Sequence, residues 1–260
     1  MWRSPGEYFA SSTVRYLERH KGEVNCCAIS PDYQLVLTCS DDSRIHVWEA
    51  KSGLLRHKVT GHADHSKSVE TVSFSPDGAC LLSAGWDRLI ILWEVQSGQR
   101  LKTFVGHQDA IQCSAFSKDG SYFATGSWDH TVRLWSLGND APGRVLKGHK
   151  GNVSCVSFSV SGMLASGSWD KTIRVWNPRS GALIFLLKGH LDWLRTLSFS
   201  RDGILLASTG HDNMVRLWDC ENGKCLKVVK SMLEMTHVCI FSPEGTLMLA
   251  GAMGFHQSQY

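Results

Sequence analysis

A tryptophan that returns every 41 to 45 residues constrains this chain more than any other feature. Trp48, Trp93, Trp135, Trp176 and Trp218 are separated by 45, 42, 41 and 42 residues. Six residues before each stands an Asp (Asp42, Asp87, Asp129, Asp170, Asp212), and four before each Asp a hydroxyl (Thr38, Ser83, Thr125, Ser166, Ser208). One copy, Lys147–Trp176, holds three apolar runs of strand length: Val153–Phe158, Met163–Ser168 and Thr172–Trp176. They are rich in β-branched residues, with Ser-Gly and Trp-Asp-Lys turns between them, and none has a 3.6-residue period. Gly181–Leu187 adds a fourth strand. Each unit therefore predicts one antiparallel four-stranded sheet, which alone cannot bury both faces, so the copies must stack.

Each unit also opens on a His. Gly-His pairs stand at Gly61-His62, Gly106-His107, Gly148-His149 and Gly189-His190. A His four residues before the first strand recurs at His20, His65, His107, His149 and His190. In period, Gly-His start and Trp end, the chain resembles the WD-repeat family of β-propellers over roughly residues 13 to 251. The resemblance implies an all-β propeller of five well-formed blades plus one degenerate blade, in a family that usually has seven. Residues 1–12 then form a lead-in, 13–254 the propeller and 255–260 a short tail. Thr13–Arg19 is expected as an outer strand that closes the ring on the last blade. The last unit keeps two inner strands, His237–Phe241 and Thr246–Ala250, but lacks the Asp and the Trp. The junction GHADHSKSVETVSF is three residues longer than its counterparts. It is either a loop insertion or the scar of a lost repeat.

Composition narrows the function. With 43% hydrophobic and 20% charged residues the chain reads as a soluble globular domain. A net charge of +3 does not point to nucleic acid, and no apolar run approaches a membrane span. The first dozen residues lack an apolar signal core, and most of the nine Cys fall inside strand patterns. A cytoplasmic or nuclear protein with reduced, buried thiols is expected.

His, hydroxyl, Asp and Trp in one unit resemble a hydrolase triad, yet an enzyme needs one such constellation and not five. The family resemblance implies a buried hydrogen-bonded ladder instead. Its members would be His65, Ser83, Asp87 and Trp93; His107, Thr125, Asp129 and Trp135; His149, Ser166, Asp170 and Trp176; and His190, Ser208, Asp212 and Trp218. The His residues have no Cys or carboxylate partners at metal-ligand spacing, so neither metal nor cofactor is expected.

Function then falls to the faces of the disc. The resemblance directs three positions per blade to the narrower face: Glu23, Asn25 and Asp41; Ser68, Glu70 and Trp86; Ala110, Gln112 and Trp128; Asn152, Ser154 and Trp169; Trp193, Arg195 and His211; and Met235, His237 and Met253. Trp86, Trp128, Trp169 and Trp193 would form an arc on neighbouring blades, with Glu70, Gln112 and Arg195 among them. Clustered exposed Trp mark an interaction surface. The expectation is a non-enzymatic scaffold, monomeric within larger complexes, that binds a partner peptide of another protein there. Loss of Trp128 should weaken binding and leave stability nearly intact. The alternative is a substrate receptor of a cullin-RING ubiquitin ligase, since Trp176-Asn177-Pro178-Arg179 approximates the Trp-Asp-x-Arg box of such receptors.

Overall fold

A computed structural model describes residues 16–59, 67–138, 143–230, 236–241 and 248–252. Every regular element in it is a strand. The first blade is β1 (Val24–Ile29), β2 (Leu35–Ser40), β3 (Ile45–Glu49) and β4 (Leu55–Val59). The second is β5 (Val69–Phe74), β6 (Cys80–Gly85), β7 (Leu89–Glu94) and β8 (Arg100–Val105). The third is β9 (Ile111–Phe116), β10 (Tyr122–Ser127), β11 (Val132–Ser136) and β12 (Arg144–Leu146). The fourth is β13 (Val153–Phe158), β14 (Leu164–Ser168), β15 (Thr172–Trp176) and β16 (Leu183–Lys188). The fifth is β17 (Leu194–Phe199), β18 (Leu205–Gly210), β19 (Met214–Asp219) and β20 (Cys225–Lys230). Each is an antiparallel meander, and β21 (Thr236–Phe241) with β22 (Met248–Ala252) makes a two-stranded sixth sheet. Five full blades and a degenerate one match the expectation from the repeat.

The sheets stack through their first strands: β1 against β5, then β9, β13, β17 and β21 in turn. Between blades lie the cores. Val153 reaches over Gly126 of the preceding blade, and Leu194 over Gly167. Cys39, Cys113 and Cys155 are buried within strands, and burial pushes the Cys155 thiol up to about 12. These thiols behave as small apolar residues.

Blade one differs on its leading face. Val69, Ile111, Val153 and Leu194 open the first strands of blades two to five, and all are fully buried. Their counterpart Val24 is 54% exposed, and Ile29 at the other end of β1 is 61% exposed. Among the described residues no preceding blade covers them, because β21 packs on β17 and makes no comparable packing with β1. The expected closing strand differs as well. Tyr16 to Arg19 is not in a strand, and Tyr16 is exposed. The sixth sheet has no third strand among the described residues for a closing strand to join. Thr13–Arg15, the lead-in, the tail and the 60–66 junction with His62 and His65 lie outside the described residues, as do Met235 and Met253.

Candidate functional site

Antiparallel order puts the second-to-third-strand turns and the links between blades on one face. The first-to-second and third-to-fourth turns lie on the other. On the first face one backbone bond per blade joins the positions expected to cluster. The amides of Asp41, Trp86, Trp128, Trp169 and His211 donate to the carbonyls of Glu23, Ser68, Ala110, Asn152 and Trp193. That bond holds the turn residue beside the start of the first strand.

The four tryptophans touch in sequence around this face. Trp86 and Trp128 have ring centroids 5.1 Å apart, and Trp128 and Trp169 5.5 Å. Trp169 and Trp193 are stacked at 4.4 Å with their planes 7° apart. Trp193 then meets His211 at 5.7 Å. Five rings from four blades make one unbroken aromatic ridge. Its ends stand out, Trp86 and Trp193 each being 42% exposed, while Trp128 and Trp169 are half-buried between neighbours. Trp128 is thus also a packing residue. Aromatic pairs contribute about 0.5–1.5 kcal/mol each beyond burial, so the idea that Trp128 can be removed at little cost in stability does not fit this geometry.

Side chains of the first strand hold the indoles. Glu70 Oε1 accepts from Trp86 Nε1 at 2.8 Å, and Gln112 Oε1 from Trp128 Nε1 at 3.0 Å. In the next blade the same position is Ser154, too short to reach. Its hydroxyl donates to the Leu194 carbonyl at 2.7 Å, and Trp169 Nε1 is buried without a partner among the described residues. Arg195 occupies the position in blade five. Burial and then the Arg195 charge push the His211 imidazole below its ordinary range, so the positive charge there is that of Arg195. At the other end Asp41 accepts from Asn25 at 2.8 Å and from Ser68 at 2.6 Å, with Glu70 beside Ser68. The ridge therefore has an acidic end on blades one and two, and Arg195 together with Asp192 near its blade-five end.

Beneath it lie the ladders. In blade three Trp135 Nε1 donates to Thr125 Oγ1 at 2.9 Å, Thr125 meets His107 Nε2 at 2.7 Å, and His107 Nδ1 meets Asp129 at 2.7 Å. Blades four and five repeat this with Trp176, Ser166, His149 and Asp170, and with Trp218, Ser208, His190 and Asp212. Blade one has it too: Trp48 donates to Thr38, and His20 bridges Thr38 and Asp42. In blade two Trp93 donates to Ser83 at 2.8 Å, and Asp87 accepts from the Leu89 amide. An indole can only donate, so the hydroxyl must accept from it and give its own proton to Nε2. That leaves the imidazole proton on Nδ1, pointing at the carboxylate.

Ladder electrostatics favour a neutral imidazole against an ionised Asp. Burial pushes His107 and His190 below the ordinary His range despite their carboxylates. Burial alone would raise Asp129 and Asp170. Bonds from the His ring, from Thr131 or Thr172 and from the Gln108 or Lys150 amide outweigh it and hold both well below the usual carboxylate range. Thr125, Ser166 and Ser208 are fully buried and saturated, so these hydroxyls have no access to a substrate. The constellation is structural.

Sequence reasoning missed the partner of the Gly in Gly-His. Opposite the ladder hydroxyl on the third strand stand Arg133, Arg174 and Arg216, in the three blades that begin Gly106, Gly148 and Gly189. The Arg133 and Arg174 guanidiniums lie 5.9 and 5.8 Å from the Trp135 and Trp176 rings. Blades without the Gly at that place, one and two, carry His46 and Ile91 there instead. The pattern was present in the sequence as a covariation between units.

The WD domain, G-beta repeat, family model matches residues 11–49, 53–94, 98–136, 141–177 and 181–219. Among similar proteins, WD repeat-containing protein 38 of Mus musculus is 48% identical over 52 residues, 20% of this chain and 17% of that protein. Its Homo sapiens counterpart is 44% identical over 48 residues, 18% of this chain and 15% of that protein. The nuclear distribution protein nudF of Aspergillus oryzae is 38% identical over 60 residues, 23% of this chain and 13% of that protein. The matched stretches thus span less than a fifth of the length of these relatives.

Proposed function

The chain belongs to the WD40 repeat family, whose members commonly act as protein-interaction scaffolds, and from that premise we propose that it binds an extended peptide of a partner protein along the tryptophan ridge. The observation that carries this reading is the run of four indoles in mutual contact across four blades, ending in Trp86 and Trp193. Trp is the residue type most enriched at interface hot spots. The blades supply a rigid base, because the turns that carry Trp86, Trp128 and Trp169 are tied to the starts of their own first strands, and Trp193, at that start in blade five, is tied to the turn by the His211 amide. A bound peptide gains contact area without ordering the receptor, which lowers the entropic cost of association.

The charged groups at the two ends orient the ligand. A basic or apolar side chain fits over Trp86 beside Glu70, since indole faces attract cations. An acidic group fits beside Arg195. The test is selection of peptides from a random library on the wild-type protein, followed by titration of the selected peptide against Trp86→Ala and Trp193→Ala. Both variants should weaken binding at least tenfold at a temperature where each is still folded, with only the modest loss of stability that the lost ring contacts bring. Selected peptides that bind the two variants as tightly as the wild type would exclude the ridge as the binding surface.

A further inference from the structure

The opposite face carries a second site, a cleft beside blade four that is larger than the one in the corresponding place beside blade two. In blades one, two, three and five the first-to-second-strand turn is closed by an amide-to-carbonyl bond five residues apart: Ser30 to Leu35, Ser75 to Cys80, Ser117 to Tyr122 and Ser200 to Leu205. In each, the Ser hydroxyl donates to the Asp two residues on. Blade four is different. Ser159 bonds Met163, four residues away, and Ser161 stands where the Asp should be.

The neighbouring turn differs as well. In blades one, two and five the residue after the third strand donates its amide to the residue that precedes the second strand: Ala50 to Gln34, Val95 to Ala79 and Cys220 to Ile204. Those donors stand two residues after the strand-end Trp, and in blade four that place is Pro178, which has no N–H, so the Gly162 carbonyl opposite it receives no such bond. Beside the shorter turn of blade four lies a cleft of about 390 Å³ between blades three and four, against about 230 Å³ beside the full-length turn of blade two. Space lies open beside Gly162, where an added Cβ would meet nothing within 4 Å.

The lining is amphipathic. Val160 and Ile184 are exposed apolar walls, and Lys118 and Arg179 bring two cations with no carboxylate paired to either among the described residues. Asp119 is the one carboxylate, and its turn engages it through the Ser117 hydroxyl and the Ser121 amide. Two free cations ask for an acid, the walls for an apolar side chain and the Gly162 carbonyl for an N–H. A peptide supplies all three within a few residues.

We propose that this cleft is a second docking site, which takes a short segment of a partner protein with acidic and apolar residues alternating. It lies on the face away from the tryptophan ridge, so both sites can be filled at once. One chain would then bridge two partners.

The test is calorimetric titration of the purified chain with the probe N-acetyl-Glu-Leu-Asp-Leu-amide, and with the uncharged N-acetyl-Gln-Leu-Asn-Leu-amide. The acidic probe should bind more tightly. Arg179→Glu should weaken it roughly tenfold or more, as expected for loss of a charge-assisted contact. Insertion of an Asp between Val160 and Ser161, which restores the turn length of the other blades, should abolish binding with melting unchanged. Trp86→Ala should leave it intact, so failure here is distinct from failure of the ridge. No heat with either probe, equal affinity for both, or no response to Arg179→Glu and the insertion would overturn the proposal.

Discussion

Gly106 and Arg133 are fitted to one another: a methyl group on Gly106 would stand 2.7 Å from the Arg133 guanidinium and 3.0 Å from the Trp135 ring. The Arg lies along the indole, and the chain before His107 crosses directly above it. A side chain there requires the Arg133 guanidinium to leave its place along the indole. Gly148 meets Arg174 at 2.5 Å and Gly189 meets Arg216 at 3.1 Å in the same way. In blade one, where Arg19 precedes His20, the third strand offers His46, which stacks on His20 at 4.1 Å.

Gly106→Ala should therefore destabilise the fold by about 1–3 kcal/mol, the usual cost of overpacking. Arg133→Ile, which copies Ile91 of blade two, should recover most of the loss when combined with it. A double-mutant cycle by chemical denaturation measures the coupling. Additive effects would show that the Gly is needed for some other reason.

Asp170→Ala should cost roughly 1–3 kcal/mol, because it strands buried donors. The carboxylate accepts from the His149 ring, the Lys150 and Thr172 amides and the Thr172 hydroxyl. Asp170→Asn retains an acceptor and should lose less. Equal losses in the two variants would mean that hydrogen bonding at this carboxylate is not what stabilises blade four.

The ladders also set a pH dependence. His107 and His190 have folded values below the unfolded value of about 6.5. The folded state thus resists protonation, and their contribution is full above that pH and lost as the pH falls below it. Asp129 and Asp170 are depressed, so their contribution is full above about 4 and lost on further acidification. Both act in one direction. Thermal melts should be level near pH 7.5 and fall steadily from pH 6.5 downwards. A melting temperature that rises between pH 7 and pH 5.5 would contradict the neutral-imidazole ladder.

Trp169 offers a site for stabilisation. Ser154→Gln should place an acceptor at its buried Nε1, as Gln112 does for Trp128. A net gain of about 0.5–1 kcal/mol is expected, and Ser154→Leu, of similar reach without an acceptor, should not provide it. Equal stability of the Gln and Leu variants would show that the indole N–H is not the limiting defect.

The repeat period and the strands were legible in the sequence, because each depends on spacing inside one unit, whereas the ladder came from the resemblance to the WD-repeat family. Val153–Phe158 and Thr172–Trp176 have in the structure the bounds that the sequence predicts, and β14 begins at Leu164, one residue after the expected Met163. Alternating apolar residues and fixed turns determine a meander locally. Which residues share the face was likewise implied by that resemblance, at three positions in each blade. The clearest miss within a unit was the Arg-for-Gly pairing, which links positions 26 or 27 residues apart in each copy and shows only when the copies are compared side by side.

Tertiary structure decided the rest. The exposed Val24 occupies the same pattern position as residues buried in the next four blades, and the exposed Ile29 the same as phenylalanines buried in blades three to five. Nothing in β1 itself distinguishes them. Burial there is conferred by the preceding blade, and no local pattern records whether such a blade is present. The contacts along the tryptophan ridge are of the same kind, since each ring meets one from a different blade. So is the cleft beside Gly162, whose short turn is visible in the sequence but whose walls come from two blades. Periodicity determined what each blade is, and only packing between blades decided which of its surfaces are left free to bind.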